Sequence, residues 1–227
     1  MPVFKKPRPL PRLSLRGGIG KENRTLVAVP VLITSEKSVR QAAETLEAHY
    51  LAAQDFAAAN CGAEFAILAD FPDSVEKTKQ GEAELIELAK KLTDDLNSRF
   101  CAGGRPVFHY LHRERVFNSA DGVYMGRERK RGAVLELCRL LAGESTALCV
   151  RAGDAAKLRS TRYILTLDAD TRLEPESARE LIGAALHPLN RPAVDPKRGI
   201  VFRGHGVLHP RIAVSLESAY RNDFTRL

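Results

Sequence analysis

Asp168 and Asp170, separated by one alanine, close an apolar run in the stretch YILTLDADTRLEPES at 163–177. In extended backbone, residues i and i+2 project to the same side, so this spacing lets both carboxylates address one space. Two convergent anions call for a cation. At the carboxyl end of a strand, where open α/β sheets bind their ligands, Mg²⁺ or Mn²⁺ shared with a phosphate suits such hard oxygen donors. The competing reading is a pair that caps the next helix or bounds a solvated turn, and the motif alone does not separate the two. Asp70 ends an earlier apolar run, FAILADF at 65–71; it either brings a third carboxylate to the same crevice or opens the turn F-P-D. Lys130 and Gly132, in ERKRGAVLEL, put a cation and a flexible backbone at an expected helix start. Free N–H groups there favour anions, although a solvated basic run is the plainer alternative.

Strands and helices in a regular alternation must deliver these residues to one place. LVAVPVLI at 26–33 reads as a buried strand, followed by a helix with Val39, Ala42, Leu46 and Tyr50 at helical period and a capping box from Ser38 and Gln41. FAILADF is a second strand. Residues 82–100 form an amphipathic helix through Leu85, Leu88, Leu92 and Leu96, and 107–111 a third strand. The basic segment RERKRGAVLELCRLL enters a helix, 163–167 is the strand that ends at the Asp pair, and 176–186 is a helix with Pro175 in its first turn. After the turn HPLNRP, 200–202 and 206–208 are short strand candidates. Strand, helix, strand, helix predicts an α/β fold with a mostly parallel, Rossmann-like sheet flanked by helices. Residues 1–24, rich in Pro, Arg and Gly, read as a basic arm before a domain spanning 25–227.

Composition narrows the classes. With 227 residues and 44% hydrophobic content, the chain can bury a real core. Its longest apolar stretch is far short of the ~20 residues a bilayer span requires, and the N-terminus lacks a secretory pattern, so the cytoplasm is the expected compartment. Cys61, Cys101, Cys138 and Cys149 show no C-x-x-C pair and are assigned no chemistry. The net charge of +7 lies mainly in the first 16 residues and in 127–132. Aromatics are only 6% and do not alternate with basic residues, which argues against nucleic acid and leaves a phosphate-bearing small molecule.

The segments LPRLSLRGGI, RTLVAVPVLITS, HYLAA, FNSADGVYMGRERKRG, YILTLDADT, HPLNRP and GHGVLHPR, in this order, resemble the glycosyltransferase domain of bacterial cyclic β-1,2-glucan synthases. The similarity runs from about residue 9 to 211 and extends more distantly to GT-A enzymes such as cellulose synthase. It implies a GT-A-like fold and a hexosyltransferase that uses UDP-glucose and a divalent metal to extend a β-glucan acceptor. By this resemblance Asp168 and Asp170 match the D-x-D that holds the metal against the diphosphate. Asp70 matches the aspartate that contacts uridine, and Lys130 and Gly132 match the K-x-G near the donor phosphates. Family members carry transmembrane helices around this domain, at the cytoplasmic face of the inner membrane, and a large phosphorylase-like domain after it. The chain is therefore expected to be a C-terminally incomplete piece that binds donor without making glucan alone, its basic arm at 5–16 facing anionic lipid or solvent. No general base is found: Glu217 and Asp223 are the only acids after Arg211, and neither stands in the family's context. Two further readings stay open. One is a truncated nucleotide-sugar-binding module without turnover. The other is a D-x-D phosphotransferase of the haloacid dehalogenase type, against which stand the late position of the motif and Arg172 where Thr or Val is expected.

Overall fold

A run of β-branched and apolar residues forms β1 (Thr25–Leu32), and α1 (Glu36–Ala57), β2 (Ala63–Asp70), α2 (Glu82–Phe100) and β3 (Phe108–Arg113) follow in the anticipated rhythm. The structure, a computed structural model, describes residues 9–57, 62–101, 104–171 and 173–210. After β3 come a small hairpin of β4 (Val116–Asn118) and β5 (Val123–Met125), then α3 (Arg129–Ala142), β6 (Leu148–Ala152), α4 (Ala155–Leu158) and β7 (Tyr163–Thr166). The chain continues through α5 (Pro175–Leu186) into β8 (Ala193–Asp195) and β9 (Ile200–Arg203).

Five strands form one sheet in the order β6-β3-β2-β1-β7. Neighbours among β3, β2, β1 and β7 are parallel, and β6 pairs antiparallel with β3. This is the mostly parallel Rossmann-like sheet, flanked by helices, that the alternation predicts. Register sorts its two faces. Val27 aligns with Phe65, and Phe65 with Phe108. Tyr50 of α1 packs on both of those rings, at centroid distances of 5.6 and 5.0 Å. On the other face Leu26, Ala28, Ala66, Leu68 and Leu111 pack with Leu137 of α3, Leu148 of β6 and Leu158 of α4. Alternation along each strand thus feeds two apolar layers.

The chain divides into two compact units, Leu15–Arg179 and a second built from the segment ending at Ser14 and the segment beginning at Glu180. The first holds the five-stranded sheet. Leu15 and Ile19, from the Pro/Gly-rich stretch, are buried in it. In the second, buried Asn190 donates from Nδ2 to the carbonyls of Pro11 and Ala184, both at 2.8 Å, and its own carbonyl accepts from the His205 amide at 2.9 Å. Gly204 has φ +74, and a Cβ there would meet the Arg191 carbonyl, which accounts for glycine at that point of GHGVLHPR.

Two local expectations are corrected, and two strands are added. The α1 cap is Ser35 with Ser38, three residues earlier than Ser38 with Gln41: Ser38 Oγ accepts from the amides of Thr34 and Ser35 at 3.0 and 3.1 Å, and Ser35 Oγ accepts from the Ser38 amide at 3.3 Å. Residues 206–208 form no strand, because β9 ends at left-handed Gly204. β6 and β8 have no strong sequence signal, since LCVRA and AVD are too short to show a period.

Candidate functional site

Strand order reverses at β1. From β1 the chain steps to β2 and β3 on one side and returns through β7 on the other, so the carboxyl ends of β1 and β7 flank a topological switch point, the place where open α/β sheets bind ligands. Pro30 shapes it. The amides of Thr25 and Ile33 donate toward β2, to Gly62 O and Asp70 O at 2.8 Å each, so even-numbered amides of β1 face β7. Pairing with β7 runs only to Ala28 opposite Thr166, followed by the Leu167 amide donating to Ala28 O at 3.0 Å. The next rung requires an N–H at residue 30, and proline has none. The ladder stops and the chain leaves the sheet with Asp168.

The D-A-D segment therefore is not extended strand. Residues 168–171 make a turn closed by the Thr171 amide on the Asp168 carbonyl at 2.9 Å, so strand alternation does not set the directions of the two carboxylates. Asp168 and Asp170 are exposed. Lys130, in the first turn of α3, forms an ion pair through Nζ with Asp168 Oδ1, each side chain about half exposed. Among the described residues no three His, Cys, Asp or Glu side chains converge as a metal site.

Asp70 stands at the carboxyl end of β2, buried, with both oxygens held by Arg113 at the end of β3: Nε donates to Oδ1 at 2.7 Å, and Nη2 donates to Oδ2. The same guanidinium donates to the carbonyls of Arg127 and Arg129, at 2.9 and 3.0 Å. Gly132 is buried beside it. A Cβ at that position would run into the Arg127 carbonyl and lie 2.6 Å from Arg113 Nη1, so the glycine of K-x-G faces the arginine. Glu128 and Arg129, just ahead, hold positive φ of 55° and 46°, uncommon for residues with a Cβ.

A second buried arginine organises the neighbouring loop. Arg115 donates to the Pro72 carbonyl at 2.7 Å, to the Lys77 carbonyl at 3.1 Å, and to both oxygens of Glu82 at 2.9 and 2.5 Å. Burial pushes the Glu82 carboxyl up, but the hydrogen bonds and charge of Arg115 together with the Lys79 amide outweigh it, and the group rests below its ordinary value. Ser74 of this loop exchanges backbone bonds with Tyr124 of β5 at 2.9 and 2.7 Å. Arg113 and Arg115 escaped the sequence reading. The available signal was R-E-R directly after an apolar strand, where charges leaving a sheet must find either water or a buried partner.

Asp70, Lys130, Gly132 and Asp168 are thus linked through Arg113 and the loop 126–132, with Asp170 on the adjoining turn. Glu217, Asp223, Arg211 and Arg172 lie outside the described residues. Among those that are described, no helix is long and apolar enough to cross a membrane. No protein-family model matches the chain. Over 230 residues, covering 98% of the chain, it is 36% identical to a segment of the cyclic beta-(1,2)-glucan synthase NdvB of Rhizobium meliloti (strain 1021). The chain spans 8% of that protein's length and is related to that segment.

Proposed function

We propose that the switch point beyond the carboxyl ends of β1 and β7 binds a nucleoside-diphosphate sugar, with UDP-glucose as the donor, and that the chain supplies this binding to glucosyl transfer onto a β-glucan acceptor. The relationship to a segment of a glucan synthase supports the substrate class. The observation that carries the reading is the Lys130–Asp168 pair at the point where strand order reverses. A lysine at the start of one helix and an aspartate at the end of one strand meet where α/β sheets receive nucleotides.

The donor set suits a hard divalent cation. Two exposed carboxylates with no third protein ligand among the described residues leave the rest of an oxygen shell to the diphosphate and water, as Mg²⁺ and Mn²⁺ accept. Asp168 and Asp170 would hold that ion, which when bound neutralises charge on the departing diphosphate. Lys130, released from Asp168, would pair with a phosphate oxygen. Asp70 keeps lone pairs beyond the two that Arg113 occupies, and a uridine contact would use those.

Thermal melts with UDP-glucose, with Mn²⁺ and with both test the reading, since a ligand of the folded state raises the midpoint. The expected result is a shift that needs both additions and vanishes in Asp168→Ala with Asp170→Ala. A well-folded protein showing no shift would sink the proposal. UDP release in the presence of a β-1,2-glucan acceptor then separates a transferase from a donor-binding module. Hydrolysis of a generic phosphate ester would favour the phosphotransferase reading instead.

A further inference from the structure

Arg113 is 3% exposed and serves three segments at once: the end of β2 through Asp70, its own strand, and the loop that leads into α3. A buried guanidinium is costly unless its charge is paired and its donors are used, and here Asp70 and two carbonyls meet both needs. The loop is bent in return. Two successive non-glycine residues in left-handed backbone are strained, and such geometry persists only where the surroundings over-determine it. The carbonyls of Arg127 and Arg129, turned inward onto the guanidinium, provide that determination. In a planar trans peptide the following N–H points the opposite way, so the amides of Glu128 and Lys130 turn away from Arg113. Gly126 and Gly132 allow the close approach, since a Cβ at either would come within 2.6 Å of a guanidinium nitrogen.

We infer that Arg113 is a positioning residue for the donor diphosphate: anchored by Asp70, it fixes the left-handed entry of α3 and so the point from which Lys130 meets Asp168. The inference rests on the proposed function only for what Lys130 binds. Lysine cannot substitute at 113, because a single ammonium lacks the planar fork that reaches Asp70 and two carbonyls together.

Two measurements on Arg113→Lys test it. In the protein without ligand, amide hydrogen exchange across 126–133 should quicken while that of 26–33 and 63–70 stays as in the parent. Exchange unchanged at 126–133 would overturn the inference. The second measurement is affinity for inorganic pyrophosphate with Mn²⁺, a probe without the uridine that Asp70 would contact, in Arg113→Lys, Lys130→Ala and the double variant. Each single change should weaken binding about tenfold or more, the scale of a charge-assisted hydrogen bond. The double variant should be no weaker than Lys130→Ala alone, since Arg113 acts through Lys130. Additive losses would mean Arg113 acts elsewhere and would defeat the claim. Asp70→Asn, which keeps the shape and one acceptor, must quicken the same exchange and stands in if Arg113→Lys does not fold. If the parent binds neither UDP nor pyrophosphate, the donor reading falls, while exchange still decides whether Arg113 holds the loop.

Discussion

At the scale of single residues, Gly132 shows how one letter carries a different reason in the fold than in the sequence. As a helix-start glycine in a basic run it reads as backbone freedom near an anion, and that much is visible in K-R-G. Its surroundings give steric cause: the space where a side chain would sit belongs to Arg113 and the Arg127 carbonyl. Ordinarily Gly→Ala inside a helix stabilises by about 1 kcal/mol. Here Gly132→Ala should destabilise by about 1–3 kcal/mol, the usual range for overpacking, as read by urea denaturation. Arg113 was not legible, because its partners come from β2 and from a loop beyond the next hairpin. Nothing in R-E-R says which charge turns inward.

At the scale of elements, α1 and β1 differ in how far their sequence speaks. The helix period of Val39, Ala42 and Leu46 is plain, and those residues are buried. Its start is ambiguous in sequence because Ser35 and Ser38 are both good caps, and the outcome depends on which serine faces free amides. Ser35→Ala should lose about 1 kcal/mol of stability, whereas exposed Gln41→Ala should stay within about 0.5 kcal/mol of the parent. Equilibrium unfolding of the two variants decides between the caps. Pro30 is subtler. A proline within a strand argues against a central position, yet β1 lies between β2 and β7. The conflict resolves because the missing N–H faces the side where β7 has ended, and that ending releases the D-A-D turn from the sheet.

At the scale of the whole molecule, buried ionisable groups tie stability to pH. Burial lowers the imidazoles of His49 and His112, the latter to about 4 with the charges of Arg151 and Arg115 contributing. The unfolded chain, with His near 6.5, binds more protons between those values, so stability is full above 6.5 and falls as pH drops toward 4. For His112 the loss amounts to about 3 kcal/mol. Glu64 adds to it at lower pH: burial raises its carboxyl, but His109 and Lys157 hold it below its usual 4.5, so its contribution fades below that point. Urea midpoints measured from pH 7 to 4 should decline, and His112→Asn should flatten the slope between 6.5 and 4. By itself the sequence determined the alternating α/β architecture, the strand end that carries Asp70, the strand that leads to Asp168, and the helix start that carries Lys130, because apolar period and chain punctuation are local properties. Only the tertiary structure decided that β6 runs antiparallel, that the Asp pair sits in a turn, and that Asp70, Arg113, Lys130 and Asp168 form one linked set. Those outcomes depend on which strands become neighbours and on how buried charges find partners far away along the chain.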